Sequence, residues 1–411
     1  MYNLLKGLSI VEGASFIAGP SATMHMAQMG AEVIRFDNIG GGPDFNRWPL
    51  AKNGQSLYWE GMNKGKKSIA LNLSTTEGRE LAIAIATAPG ENAGLFVTNY
   101  PVNGFLSYDI LKEKRADLIC LRVMGWADGA PAMDPTVNAA SGIPMMTGPQ
   151  DDEKPVNQVL PAWDLITGAY AAFAMTAAIL DRKTSGKGHD IRLPLADVAI
   201  SCLSHTGQIA EVLASGADRP RMGNDMFGAL GRDFETKDGK RVMIVALTTR
   251  QWIGLVRVLN LVEVIESLEQ SLNISLSAEA GTRFNHRDKI IPLIIAAIVT
   301  RNSAELYQAF DKNGVTWGPY QTLYEAVTTD DRMVKENPMF TNIDHPSGMS
   351  YPAAGPAATL PGQDRGTLIP APHLGQHTDE VLAMKLGLPD HEIGRLHDKG
   401  IIAGMNNAKA A

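Results

Sequence analysis

The first 200 residues alternate between short apolar segments and longer segments with the apolar spacing of a helix. The pattern predicts strands at residues 8–13, 31–37, 66–74, 94–100 and 117–125, with helices at 18–30 and 75–88 between them. This alternation predicts a mostly parallel sheet with helices on both faces. Ligands of such sheets bind in loops at the carboxyl ends of strands, so we expect a site in the loops after Val11, Asp37, Val97 and Val123.

The second half of the chain has a different pattern. Residues 216–233 are rich in Gly, Arg and Asp, and they precede a hairpin pattern and several helical patterns. We therefore predict an α/β fold with a Rossmann-like, parallel-sheet large domain at residues 1–220 and a smaller α+β domain at 225–325. The proline-rich segment and closing helices of residues 326–411 are predicted to return to the large domain and pack with it.

Charge and composition exclude several classes of protein. The net charge of -7 on 411 residues is mild and spread out, which argues against a nucleic-acid partner. Cys120 and Cys202 both lie in apolar segments, which predicts buried free thiols in a reducing compartment. The N-terminus has no long apolar segment followed by a small-residue cleavage site. We therefore predict a cytoplasmic protein with no nucleic-acid and no membrane partner.

A single carboxylate, Asp164, stands at the head of the longest apolar run. The sequence after it reads LITGAYAAFAMTAAIL and carries no charge before Asp181, which predicts a buried core helix rather than a membrane span. Asp164 is predicted at the helix N-cap or just before it. Capping alone would explain an Asp at this place. The alternative is a nucleophile, because a helix N-terminus favours an anion and an attacking carboxylate must be ionised.

Other kinds of catalytic site find little support. The sequence has no G-x-S-x-G elbow, no Walker motif and no cysteine in a reactive context. The histidines are scattered, and His373 and His377 straddle a glycine-containing junction rather than one helix face, so no metal site is predicted. If the chain transfers acyl groups, a carboxylate is the remaining candidate nucleophile.

Five segments resemble family III CoA-transferases and follow the order of that family. They read AGPSATMHMAQMGAEVIRFDNIGGGPDFNRWP, NKGKKSIALNL, TNYP, the PAWD stretch around Asp164, and PAPHLGQHTDEVL. The resemblance implies a two-domain subunit that forms an interlocked homodimer. It also implies an acyl-CoA substrate, with coenzyme A entering as part of that substrate and no permanently bound cofactor.

The resemblance also implies a reaction. Asp164 aligns with the family's catalytic aspartate, which attacks an acyl-CoA thioester and passes through a mixed anhydride and an aspartyl-CoA thioester. The segments RFDNIGGGPDFNRWP, LFVTNYP and PAWD most resemble the branch that moves CoA within one molecule, from C1 to C4 of 2-methylfumaryl-CoA (mesaconyl-CoA). We infer that Arg47 and Arg232 hold the substrate carboxylates, although each is equally consistent with a surface or structural ion pair.

Positions that contact CoA in relatives carry over residue by residue. They are Phe16, Ile17, Ala18, Asn38, Leu71, Asn99 and Tyr100. Asn38, Ser107 and Ala132 stand where formyl-CoA transferase has basic residues, so the grip on the CoA phosphates must differ. Candidate substitutes are Lys64, Lys66, Lys112, Lys114 and Arg115, although solvated surface positions are the simpler interpretation for most of them.

Three alternatives stay open at the level of sequence. An intermolecular CoA-transferase would use a separate acid as the acceptor, and only overall likeness argues against it. An α-methylacyl-CoA racemase would share the fold but needs a histidine where this chain has Met133, which disfavours it. A non-catalytic nucleotide-binding module would leave Asp164 with a capping role only.

Overall fold

Residues 1–405 of the 411-residue chain are described by a computed structural model. The strands are β1 (Ser9–Gly13), β2 (Glu32–Asn38), β3 (Lys67–Leu71), β4 (Leu95–Thr98), β5 (Ile119–Met124), β6 (His189–Pro194), β7 (Leu230–Glu235), β8 (Arg241–Ala246), β9 (Thr316–Pro319), β10 (Phe340–Asp344), β11 (Ser350–Ala354) and β12 (Ile402–Ala403). The helices are α1 (Ala18–Gln28), α2 (Leu57–Met62), α3 (Thr76–Ala86), α4 (Tyr108–Lys114), α5 (Asp134–Ala140), α6 (Ile143–Met146), α7 (Ala162–Ser185), α8 (Leu195–His205), α9 (Gln208–Ser215), α10 (Thr249–Val258), α11 (Val262–Leu272), α12 (Ala280–Asn285), α13 (Arg287–Ile298), α14 (Ser303–Asn313), α15 (Leu323–Thr329), α16 (Thr378–Leu386) and α17 (Asp390–Asp398).

Chain contacts divide these residues into two compact units. The first comprises residues 1–141, 158–211 and 334–405, and the second comprises 142–157 and 212–333. The second unit has a three-stranded antiparallel sheet, β7-β8-β9, packed against helices through an apolar core. The range predicted for a small domain, 225–325, lies inside this second unit, and the range predicted to return, 326–411, lies mostly in the first.

The first unit is built on a seven-stranded sheet in the order β12-β3-β2-β1-β4-β5-β6. Strands β1 to β6 pair in parallel, and the short β12 pairs antiparallel with the edge of β3. The predicted large parallel-sheet domain is therefore confirmed. The order of connection reverses between β1 and β4, and doubly wound sheets bind ligands in the crevice that opens beside such a reversal.

Two apolar layers cover the sheet. Helices α3, α16 and α17 contribute to the core on one face, and α1 and α7 contribute to the core on the other. Gly168 lets the first turns of α7 approach α1 closely, because a Cβ at this position would lie 2.0 Å from Ser21 Oγ and 2.9 Å from the carbonyl oxygen of Ala18. This close approach sets the amino end of α7 beside the loop that follows β1.

Helix α7 is the predicted apolar helix, and it has the length and composition of a membrane span. Core helices of globular proteins share that property. Ala171 and Met175 are fully buried in the layer that α7 forms with α1 and the sheet. The opposite side of the helix carries exposed apolar side chains, at Ile166, Tyr170, Phe173 and Leu180.

A buried ionic cluster stabilises the loop after β2. The guanidinium of Arg35, which is 1% exposed, donates to Asp37 at 2.8 Å, to Asp44 at 2.9 Å and to Glu12 at 3.1 Å. Lys66 completes the cluster with a 2.8 Å contact to Glu12. Removing one member of such a cluster is costly, because the remaining buried charges lose their partner. Arg35 therefore fixes Asp44, three residues before Arg47.

We expect Arg35→Met to destabilise the first unit by about 3–5 kcal/mol, because it leaves three buried carboxylates without their shared cation. Arg395→Met serves as a matched control in the same unit. The Arg395 ion pair with Glu77 is about one-third exposed at both side chains and is screened by solvent, so its loss should cost much less than the loss of Arg35. Urea unfolding of both variants tests the difference, and equal losses would contradict the assigned role of Arg35.

Candidate active site

A cavity of about 350 Å³ opens at the carboxyl ends of β1, β4 and β5. Its walls come from the loops that follow these strands and from the amino end of α7. Three of the four predicted loops, those after Val11, Val97 and Val123, contribute to the wall. The lining includes Phe16, Ala18, Asn99, Tyr100, Met124, Gly125, Met133 and Asp164.

Asp164 lies inside helix α7, so its predicted place at or before the N-cap is wrong. The N-cap residue is Pro161, and Asp164 is the third residue of the helix. The acceptor for the free N–H groups comes from elsewhere in the sequence. The Asp134 Oδ2 accepts from the backbone N–H of Trp163 at 2.8 Å and from that of Asp164 at 3.1 Å. Because Asp134 caps α7, the carboxylate of Asp164 is released from that role and lines the cavity.

The surroundings of Asp164 raise its pKa toward neutrality. Burial raises its pKa from 3.8 to about 6, repulsion by Asp134 adds to the rise, and the positive charge of Arg47 opposes it. A poorly solvated carboxylate of raised pKa is a stronger nucleophile than an exposed one and is still largely ionised at pH 7. The environment therefore suits Asp164 to nucleophilic attack.

Arg47 acts electrostatically on Asp164 and lies over two aromatic rings. Its guanidinium carbon is 5.6 Å from the centre of the Phe16 ring and 5.3 Å from the centre of the Tyr58 ring. Phe16 takes a positive φ of 71°, an uncommon conformation for a non-glycine residue that turns the loop after β1 toward the cavity. Among residues 1–405, no carboxylate forms an ion pair with Arg47 within 4 Å. The arrangement leaves the Arg47 cation without such a partner in the described part of the chain, and its charge acts on Asp164.

The other predicted contact residues fall into two groups. Asn99 joins the two loops of the crevice, since its amide exchanges two 3.1 Å hydrogen bonds with the backbone of Ser15. Ile17, Asn38 and Leu71 do not line the cavity. Ile17 is buried at the start of α1, the Asn38 Oδ1 accepts from the N–H of Leu73, and Leu71 is fully buried in the core. Their contacts with CoA stay predictions.

Arg232 belongs to the second unit. Its Nε lies 3.4 Å from the Asp225 Oδ1, and its side chain is about two-fifths exposed. It thus has an ion-pair partner within its own unit, in contrast to Arg47. Its predicted part in carboxylate binding stays a prediction.

Arg122 is a site residue that the sequence did not reveal. It is buried at mid-strand in β5, and its guanidinium donates to the carbonyl oxygens of Tyr100, of Pro101 at 3.1 Å and of Leu106 at 2.7 Å. These bonds fix the turn after β4 that forms one wall of the cavity. The partners are backbone carbonyls, so no pattern of side chains could have indicated them.

Three of the basic residues considered for the CoA phosphates are engaged elsewhere. The buried Lys64 donates to the Gly61 carbonyl oxygen at 2.6 Å, Lys66 belongs to the ionic cluster, and Arg115 pairs with Asp117 at 2.9 Å. Lys112 and Lys114 are exposed on α4. Lys64 and Lys66 look like surface lysines in sequence, and only the tertiary packing shows that they are buried.

Metal-assisted chemistry has no visible site in the described part of the chain. Within residues 1–405, no group of three or more His, Cys, Asp or Glu side chains is arranged to hold an ion. The Nδ1 of His377 accepts from the N–H of Ser68 at 3.2 Å, so its role there is to hold the closing segment against β3.

The fold and the cavity together define a class of protein. A doubly wound sheet presents a carboxylate of raised pKa in its switch-point crevice. A carboxylate in this position is compatible with an acyl-transfer enzyme that uses it as its nucleophile. Residues 5–378 match the family model described as CoA-transferase family III. The chain belongs to that family and is an enzyme.

Individual relatives support the assignment. The chain is 46% identical over 409 residues to 2-methylfumaryl-CoA isomerase from Chloroflexus aurantiacus, covering 99% of this chain and 100% of that protein. It is 28% identical to the human succinyl-CoA:glutarate CoA-transferase, with 97% and 90% of the two chains covered. A solved CAIB/BAIF family protein from Brucella suis superposes with a TM-score of 0.74 at 25% identity, covering 93% of this chain and 99% of that one.

The raised pKa of Asp164 predicts an acidic limb in the pH profile. We expect kcat/KM to fall below about pH 6, because only the ionised carboxylate attacks. Asp134→Asn keeps an oxygen that can accept from the helix N–H groups but removes the negative charge, so the limb should move to lower pH. The measurement is kcat/KM for an acyl-CoA substrate between about pH 4.5 and 8. An unmoved limb in Asp134→Asn would show that the Asp134 charge does not act on Asp164.

The raised pKa of Asp164 also predicts that the stability of the folded protein falls as pH rises, whereas the activity increases. The folded state keeps a proton on Asp164 that the unfolded chain loses, so this residue's contribution to stability is present below about pH 4 and is lost as pH rises toward 6. Asp164→Asn should remove that pH dependence. Denaturant unfolding of both proteins at two pH values checks it, and parallel curves would contradict a raised pKa.

Proposed function

We propose that this enzyme transfers CoA within one molecule, from C1 to C4 of 2-methylfumaryl-CoA, with Asp164 as the nucleophile. The observation that carries the proposal is the free carboxylate of Asp164 in the switch-point cavity, beside the cation of Arg47. The substrate is suggested by the 46% identity, end to end, with the relative that bears this activity in its name.

The first half of the reaction opens the substrate thioester. An oxygen of the Asp164 carboxylate attacks the C1 carbonyl carbon, the C–S bond breaks, and CoA leaves as a thiolate. The product is a mixed anhydride between Asp164 and C1. The thiolate then attacks the aspartyl carbonyl carbon, which gives an aspartyl-CoA thioester and frees the C1 carboxylate.

The second half is the reverse at the other end of the diacid. The C4 carboxylate attacks the aspartyl carbonyl carbon and expels the thiolate, which forms a second mixed anhydride. The thiolate attacks the C4 carbonyl carbon and regenerates the Asp164 carboxylate. Atoms and charges balance without a second acid, water or an oxidant. The free diacid must stay in the site between the two halves.

Intermolecular transfer is the second candidate, because the human relative is named for transfer between succinyl-CoA and glutarate. The two reactions differ in whether the diacid leaves. We expect the C1 thioester to convert to the C4 thioester with no added acid, and labelled free mesaconate in the same tube to stay out of the product. A requirement for added acid, or rapid entry of label, would favour the intermolecular reaction.

Asp164→Ala tests the nucleophile. Loss of the attacking carboxylate should lower turnover by roughly 10⁴-fold or more, as in other enzymes that lose a covalent nucleophile. Calorimetric binding of free CoA shows whether the site is still folded. Hydroxylamine trapping provides an independent check, because it should convert Asp164 to a hydroxamate in the wild-type enzyme during turnover. Turnover that persists in Asp164→Ala would exclude the mechanism.

We also propose a cytoplasmic homodimer whose chains interlock. The support comes from α7, where Ile166, Tyr170, Phe173 and Leu180 form one exposed apolar stripe at spacings of four, three and seven residues. Burial of such a stripe by a second copy would stabilise both chains. Light scattering should give the mass of two chains. A wild-type monomer would contradict the proposal.

A further inference from the structure

The surroundings of Arg47 suggest more than a carboxylate contact. Its side chain is exposed and reaches over two rings from separate elements, Phe16 in the loop after β1 and Tyr58 in α2. Both distances are below the roughly 6 Å within which a guanidinium and a ring attract each other. A free arginine side chain samples many rotamers, so contact with two rings from separate elements restricts it. The guanidinium is therefore held in one place without an ion-pair partner.

Tyr58 contributes its ring rather than its hydroxyl to this arrangement. Among the described residues, its buried hydroxyl oxygen has no hydrogen-bond partner. Neighbouring contacts fix the helix that carries it. Ser56 caps α2 by accepting from the N–H of Trp59 at 3.0 Å, and the buried Glu60 accepts from the hydroxyl of Tyr351 at 2.6 Å and from the N–H of Ser347 at 2.6 Å. The ring of Tyr58 is thus presented by a rigid element.

Charge links the arrangement to the nucleophile. Arg47 lowers the pKa of Asp164, whereas burial and Asp134 raise it by more. The guanidinium cation and the carboxylate therefore interact electrostatically. A guanidinium binds a carboxylate with two parallel hydrogen bonds, and it does so best when its plane is already oriented. The site therefore offers a prearranged position for one carboxylate next to Asp164.

We propose that Phe16 and Tyr58 form an aromatic clamp that positions Arg47, and that the clamped guanidinium retains the free carboxylate of the diacid while Asp164 carries CoA. This inference rests on the proposed function and extends it. Tyr58 is then a positioning residue. By retaining the diacid, the clamp favours transfer within one molecule over exchange with acid from solution.

The test compares substitutions at Tyr58 that keep or remove the ring. Tyr58→Phe keeps it and should resemble the wild-type enzyme, whereas Tyr58→Leu should release Arg47. The readout is the entry of labelled free mesaconate into product, per turnover of C1 thioester. We expect about tenfold or more label in Tyr58→Leu and in Arg47→Met, the ratio that loss of a charged hydrogen-bond partner typically gives. Tyr307→Phe, at a buried hydroxyl of the second unit, controls for loss of a buried tyrosine hydroxyl in general.

The outcomes separate the clamp from the proposed function. If the wild-type enzyme excludes label and Tyr58→Leu also excludes it, the clamp is wrong and intramolecular transfer stands. If the wild-type enzyme itself requires an added acid, intramolecular transfer is wrong. The clamp is then tested by KM for that acid, which should rise about tenfold in Tyr58→Leu and Arg47→Met but not in Tyr58→Phe. Equal loss in Tyr58→Phe and Tyr58→Leu would overturn the role of the ring.

Discussion

The proposed chemistry depends on two carboxylates with different roles. Asp134 accepts hydrogen bonds at the amino end of α7, and Asp164 lines the cavity. The amino end of α7 needs an acceptor for its free N–H groups, and a carboxylate in the first turn is the usual source. Here Asp134, the first residue of α5, supplies it at 2.8 and 3.1 Å. Asp164 is then free of local hydrogen bonds that would stabilise its ionised form and lower its pKa. The capping contact and the reactivity of Asp164 are two results of the same arrangement.

The parallel sheet brings the elements that carry these two carboxylates together. The strand order places the loops after β1, β4 and β5 around one crevice, and the absence of a side chain at Gly168 lets α7 enter it beside α1. Two buried arginines then hold loops that follow strands of this sheet. Arg35 fixes the loop after β2 through carboxylates, and Arg122 fixes the turn after β4 through carbonyl oxygens. In both cases a buried guanidinium group stabilises the conformation of a loop near the site.

Sequence reasoning succeeded where the determinant was local or periodic. The strand and helix alternation predicted the parallel sheet and three of the loops that line the cavity, and family motifs singled out Asp164. It failed where a contact joined distant residues. Asp134 lies 30 residues from Asp164, and nothing in DPTVNAASG indicates that it caps another helix. Lys66 is a candidate for phosphate binding in the sequence, where a solvated surface position is the simpler interpretation, yet it is buried against Glu12.

A nucleophile that also serves as a leaving group faces opposing requirements. In the proposed reaction Asp164 attacks a thioester, which favours a weakly solvated carboxylate. It is later displaced from an anhydride and a thioester, which favours a carboxylate that is not too basic. A pKa of about 6 lies between an exposed carboxyl and the strongly raised value of a fully desolvated one. Burial and the charge of Asp134 raise the pKa of Asp164, and the charge of Arg47 lowers it. Because Arg47 is also the cation offered to the diacid, the binding of a carboxylate there would weaken that restraint and make Asp164 more basic when the substrate is in place.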